Sequence, residues 1–136
     1  EFNSHFFPAL IKKVHKIKKK NLKRIVLWGN GKPRREVMHV DDLAEASIFF
    51  MKKKTRHFLI NIGTGKDYTI KYYLQLIARV IIGKSKLKIN YDKSKPNGVM
   101  RKVLDVSRAK KYGWKSKINL KDSINKTYQS FLKENN

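Results

Sequence analysis

No cysteine occurs among the 136 residues. That excludes a disulfide framework and a thiolate metal site. No apolar run approaches the roughly 18 residues of a membrane span. The opening stretch, EFNSHFFPAL, lacks the cationic region and long apolar segment of a secretory leader. These absences predict a cytoplasmic protein, or a piece of one. Acidic residues are also few: 10 Asp+Glu against 33 Lys+Arg leaves a net charge of +23. Such a field draws anions, nucleic acid first among them. Arginine is scarce beside lysine, however, and base-specific contacts favour arginine's planar fork. Composition therefore argues against nucleic acid and leaves a smaller anion, such as a nucleotide diphosphate, to use the same field. The hydrophobic fraction of 40%, with 11% aromatic, is enough for the core of one modest domain.

The order of elements reads as mixed α/β. Residues 5–20, HFFPALIKKVHKIKKK, predict a helix with Ser4 as cap, Pro8 in its first turn and an apolar stripe of Phe7, Leu10, Ile11, Val14 and Ile17. RIVLW, 24–28, predicts a strand ending at Gly29, GNGKP a tight turn, and EVMHV a second short strand. Asp41 or Asp42 is expected to cap the helix DDLAEASIFFMKKK. FLINIG, 58–63, reads as an apolar strand buried on both faces. Thr69 opens a helix with Ile70, Leu74, Ile77 and Ile81 at helical spacing, stopped by Gly83. LKINYD, 87–92, alternates like a strand, and KSKPNGVMRK is a loop. SRAKKYGW is a short helix ended by Gly113. Asn119 caps a last helix, with Asp122 as its reciprocal partner and Leu120, Ile124, Tyr128 and Phe131 as its apolar side. No repeat and no long linker interrupts the chain. The sheet is small for so many helices, whose apolar faces need a partner layer.

Several chemistries can be weighed on residue types. His39, Asp41 and Asp42 lie close together, but a zinc site wants three or four convergent ligands, and Asp42 is better explained as a helix cap. Gly29-x-Gly31 and Gly63-x-Gly65 are too short for a dinucleotide or Walker loop. Tyr91 and Lys95 spell Tyr-x-x-x-Lys, yet Tyr91 ends a strand and Pro96 disfavours helical geometry at Lys95. More promising are the basic residues on irregular loops: Arg34 and Arg35 after a rigid proline, and Lys95, Arg101 and Lys102 around the Pro/Gly loop. If the two loops converge, they can grip a pyrophosphate through charge-assisted hydrogen bonds. Trp28, beside them, offers a flat face to a base or sugar. Arg34 points to the other side of an extended segment from Arg35 and reads as a surface charge.

Four segments, SHFFPALIKKVHK, LWGNGKPRREVMHVDDLAEA, INIGTGKDYTI and SKPNGVMRKVLDVSRAKKYGW, resemble consecutive segments of the GDP-L-fucose synthase family. That family consists of extended short-chain dehydrogenases of Rossmann type. The resemblance covers essentially the whole chain, in order. HVDD and NIGTG alone would indicate only the wider nucleotide-sugar epimerase superfamily. The resemblance implies that residues 1–136 are a C-terminal substrate-binding portion. An N-terminal Rossmann half, with the glycine-rich NADP loop, the catalytic Ser, Tyr and Lys and an epimerising cysteine, would lie outside it. The family epimerises GDP-4-keto-6-deoxy-D-mannose at C3 and C5 and reduces C4 with NADPH, usually as a homodimer.

Residue by residue, the resemblance implies that His5 is the catalytic histidine and lies against the NADP(H) cofactor. A group titrating near neutrality suits protonation beside a ketone. Trp28 and Arg35 match the family's substrate contacts identically, with Arg35 on the diphosphate. Lys13 stands where arginine is frequent and keeps the charge without the bidentate fork. Asn97 stands where an aspartate contacts the nucleotide, giving KPNG in place of KPDG. A carboxylate accepts from guanine's N1–H and amine together, whereas an amide accepts through one oxygen. Lys102 matches a lysine near the substrate. Val99-Met100 replaces a Thr-Pro pair. Two alternatives stay open: a related nucleotide-sugar epimerase or reductase with another base or sugar, and a non-catalytic basic module that binds nucleic acid.

Overall fold

The computed structural model describes residues 5–83 and 87–135. Five helices and five short strands follow one another along them: α1 (Phe6–Lys19), β1 (Arg24–Trp28), β2 (Arg34–Glu36), α2 (Val40–Met51), β3 (Asp67–Thr69), α3 (Ile70–Ile82), β4 (Lys88–Asp92), β5 (Arg101–Lys102), α4 (Ser107–Lys111) and α5 (Leu120–Glu134). This is the expected mixed α/β arrangement, with the sheet split in two. β1 and β4 pair in parallel, Ile25 opposite Ile89 and Trp28 opposite Asp92. A second sheet has the order β3-β2-β5, with β2 antiparallel to β3 and parallel to β5.

Three of the five described helices, α1, α3 and α5, carry a strong apolar period. In α1, Leu10, Ile11, Val14 and Ile17 are buried, and in α3 Tyr73, Leu74, Ile77, Ala78 and Ile81. With Ile25 and Leu27 of β1 and Ile124 and Tyr128 of α5 they form one core. Each fully buried aliphatic side chain there contributes about 1.5–3 kcal/mol. Thr69 caps α3 by accepting from the N–H of Tyr72, and Gly83 ends it at φ +85°. Asn119 caps α5 by accepting from the N–H of Asp122, and its amide donates back to the Asp122 carboxylate at 2.6 Å. Ser4, the expected cap of α1, lies outside the described residues.

Three local expectations are corrected. α2 is capped by His39, whose Nδ1 accepts from the N–H of Asp41 at 3.1 Å. The chain has already entered the helix at Val40, so Asp41 sits in its first turn, where a carboxylate suits the positive end of the dipole. Asp42 is drawn elsewhere: buried, it accepts from the N–H groups of Lys117 and Ile118. EVMHV is not a strand, because β2 ends at Glu36, opposite the first residue of β3, and among the described residues no strand pairs with 37–39.

FLINIG is extended but unpaired. Ile60 and Ile62 pack on a small second cluster of Ala46, Ala109 and Trp114. Phe58 and Leu59 stay exposed, and side-chain bonds tie this segment to α4 and the residues before it, Arg108 Nη1 donating to the Leu59 carbonyl at 3.0 Å and Asn61 Nδ2 to the Asp105 carbonyl at 3.1 Å. An apolar run becomes a central strand only between neighbours, and among the described residues no strand lies beside it.

Candidate functional site

The tight turn after β1 and the Pro/Gly loop before β5 do converge. Gly29 and Gly31 lie at φ +67° and +69°, a region that suits glycine. A methyl group at Gly29 would collide with Asn97 Oδ1 and come within 3.3 Å of the Asn97 Cα. The loops close through that gap, with Asn97 Oδ1 accepting from the N–H of Asn30 at 2.8 Å. On the far side, Arg35 Nη1 donates to the Val99 carbonyl at 2.6 Å and to the Arg34 carbonyl at 2.7 Å. The N–H of Arg34 donates to the Met100 carbonyl at 2.7 Å. Three contacts thus lash residues 97–100 to residues 30–35.

Trp28 ends β1 with its side chain half exposed. Two ammonium groups approach its ring: Lys13 Nζ at 5.2 Å and Lys95 Nζ at 5.6 Å from the centroid. Both distances suit attraction between a cation and the ring's quadrupole. Lys13 Nζ also donates to the Val26 carbonyl at 3.2 Å. The structure therefore groups Trp28, Lys13, Asn97 and Arg35 around one pair of loops: an open aromatic face edged by cations, suited to an anionic ligand with a flat ring.

Lys102 pairs in register with Arg35. It also lines a cleft of about 450 Å³ with Glu36, Met38, Ile62, Gly63, Val103 and Leu104. The Glu36 carboxylate is not free for chemistry. It accepts from the N–H groups of Gly65 and Leu104, both at 2.7 Å, and from the Thr64 hydroxyl at 3.1 Å. Thr64 and Gly65 therefore serve a turn rather than a phosphate.

His5 is exposed at the N-cap of α1. The helical rise puts it roughly 12 Å along the axis from Lys13, while the rings of Phe6 and Phe7 beside it pack on Tyr73. Tyr91 lies on β4 and Lys95 in the turn after it, so the Tyr-x-x-x-Lys spelling has no helix behind it. Among the described residues no three His, Asp or Glu side chains converge as a metal would need.

Lys95 is one of the basic loop residues the sequence marks; two further participants, Tyr73 and Asp67, it does not mark. Tyr73, almost fully buried, donates its hydroxyl to the Arg35 carbonyl at 2.8 Å. Burial pushes that phenol well above its ordinary range. Asp67 accepts from the Nε atoms of both Arg34 (2.9 Å) and Arg101 (2.8 Å). Bonds from Arg101 and then Arg34 hold its carboxyl far below the usual range. Arg34 is thus an ion-pair partner, not the simple surface charge expected. Its pleat direction was legible from the strand, but the aspartate 33 positions away, inside GTGKDY, looked like a turn residue.

The model of the NAD dependent epimerase/dehydratase family matches residues 1–63. The chain is 42% identical to a GDP-L-fucose synthase of Escherichia coli (strain K12) over 139 residues, covering 96% of this chain and 43% of that protein. It is 38% identical to GDP-L-fucose synthase 1 of Arabidopsis thaliana, again over 96% of this chain and over 40% of the relative. The chain spans about two fifths of the length of the curated relatives it matches. Among solved structures, the GDP-mannoheptose C4 reductase MlghC of Campylobacter jejuni, with NADP bound, superimposes with a TM-score of 0.78 at 32% identity. That match covers 95% of this chain and 45% of that one.

Proposed function

We propose that this chain, whose residues 1–63 match the NAD dependent epimerase/dehydratase family model, is the C-terminal substrate-binding portion of an enzyme of GDP-L-fucose synthase type. The complete enzyme epimerises GDP-4-keto-6-deoxy-D-mannose at C3 and C5 and reduces C4 with NADPH. The observation that carries this reading is the convergence of Trp28, Lys13, Arg35 and Asn97 on one pair of loops. In this reading Trp28 faces the base or sugar, Arg35 and Lys102 hold the diphosphate, Lys13 adds charge and Asn97 borders the base. His5 supplies the acid/base group beside the cofactor.

NADP(H) is the cofactor of the complete enzyme, but these glycines do not build its cradle. Asn97, Glu36 and Val106 side chains fill the spaces beside Gly29, Gly63 and Gly65, so the cofactor's pyrophosphate needs residues beyond these. The exposed apolar side chains of α2, Val40, Leu43, Ile48 and Met51, with Phe58 and Leu59, support a further packing layer, such as an N-terminal Rossmann half. No described helix is long and apolar enough to cross a membrane. A cytoplasmic homodimer is the assembly proposed.

A second reading, favoured by the likeness to a GDP-mannoheptose C4 reductase and by Asn97, is a related reductase or epimerase for another nucleotide sugar. The test is NADPH oxidation by the complete polypeptide given GDP-4-keto-6-deoxy-D-mannose. Sugar-dependent consumption, lost in Arg35→Ala, is expected, and none is expected from residues 1–136 alone. No consumption by the folded, complete enzyme overturns the proposal. Comparing affinities for GDP-, UDP- and dTDP-sugars decides between the two readings.

A further inference from the structure

β5 is only two residues long. So short a strand cannot hold its own register, yet it places Lys102 opposite Arg35. The same register sets Arg101 beside Arg34 on the other face, because successive side chains of a strand alternate. Two like charges side by side on one face of a sheet destabilise the pairing. What reverses that repulsion is Asp67 of β3. Its carboxylate receives both guanidinium groups: Arg34 through Nε at 2.9 Å and Nη2 at 3.4 Å, and Arg101 through Nε at 2.8 Å and Nη2 at 3.2 Å. The Asp67 carbonyl takes a further bond from Arg34 Nη2 at 2.6 Å. The carboxylate is 6% exposed, while the two arginine side chains are 44% and 63% exposed. The anion is buried beneath the two cations it joins.

We propose that Asp67 is a positioning residue for nucleotide-diphosphate binding: by clamping Arg34 to Arg101 on one face of the β3-β2-β5 sheet, it holds Arg35 and Lys102 abreast on the other. This rests on the reading that Arg35 and Lys102 grip the diphosphate. Asp67 itself does not face the ligand; it acts through the register of β2 and β5. Without it, Arg34 and Arg101 repel, β5 keeps only its flanking contacts at Val99, Met100 and Leu104, and Lys102 drifts from Arg35. Phosphate binding by a matched pair of cations suffers most, since each charge-assisted bond depends on distance and direction.

The experiment measures GDP and GMP affinities by calorimetry on the complete polypeptide, for the wild type, Asp67→Asn, Arg35→Ala, the double variant and Arg101→Lys. Asp67→Asn is expected to weaken GDP about tenfold and GMP about threefold, given the energy of charged hydrogen bonds. In the Arg35→Ala background Asp67→Asn should weaken GDP little further, since it acts through Arg35 and its neighbour. Arg101→Lys keeps the charge but loses the fork, and should weaken GDP about threefold. It carries the test if Asp67→Asn fails to fold. A folded Asp67→Asn or Arg101→Lys that binds GDP like the wild type overturns the inference alone. So does a loss from Asp67→Asn that adds in full to that of Arg35→Ala, or falls equally on GDP and GMP. A wild type that binds neither nucleotide overturns the ligand assignment and this inference with it.

Discussion

Gly29→Ala is the most informative single change to the loop junction. Alanine at φ +67° costs about 1–2 kcal/mol, because its Cβ crowds the backbone in the left-handed region. The same methyl group meets Asn97 Oδ1 and lies 3.3 Å from the Asn97 Cα. The loop must back away, and the 2.8 Å bond from the Asn30 N–H is lost, at about 1 kcal/mol. The total is roughly 2–3 kcal/mol, which moves a urea midpoint by about 1 M for a domain of this size. Urea unfolding followed by circular dichroism measures it. The decisive arm is a double-mutant cycle with Asn97→Ala. That variant already lacks the Asn30 bond, so Gly29→Ala should then cost only the backbone term, and the coupling should be about 1 kcal/mol. Full additivity, or a Gly29→Ala cost below about 0.5 kcal/mol, would refute the claim that Asn97 closes the loops through the space glycine leaves.

Two further outcomes are expected. Trp28 is half exposed at the loop pair while Trp114 is buried in the second cluster, so titration with GDP should change tryptophan emission in the wild type and not in Trp28→Phe; an equal change in both would place the ligand elsewhere. The Asp67 carboxyl is held well below its ordinary value of 3.8 by the two arginines. Its stabilising effect is therefore complete above the usual carboxylate range and is lost as pH falls beneath it. Comparing urea midpoints at about pH 5 and about pH 3, Asp67→Asn should show a smaller acid loss than the wild type, and an identical acid loss would contradict the ion triad.

Much of the fold is legible residue by residue because helices are local. α1, α3 and α5 follow from apolar spacing of three and four. Thr69 and Asn119 cap their helices because hydroxyl and amide oxygens reach N–H groups only three positions on. Strands are less local. FLINIG has the composition of a central strand and, among the described residues, no strand neighbour to pair with, whereas Asp67–Thr69, in a stretch that reads as a turn, pairs with Arg34–Glu36. Sequence offers Asp41 or Asp42 as the cap of α2, but the chain enters that helix at Val40 with His39 capping it, and the backbone N–H groups of Lys117 and Ile118 hold Asp42.

For the site, sequence alone determined the ingredients: a rigid glycine turn, an arginine after a proline, an aromatic at a strand end, and a basic loop too irregular to be anything else. Tertiary structure decided their relation. Residues 28–35 and 95–102 meet because β1 pairs with β4 and β2 with β5, contacts whose partners lie more than sixty positions apart in the chain and leave no periodic trace. The same cause hid Asp67. An aspartate in a Gly/Thr/Lys-rich stretch reads as a turn residue until the fold brings two arginines, from two other strands, onto its two oxygens.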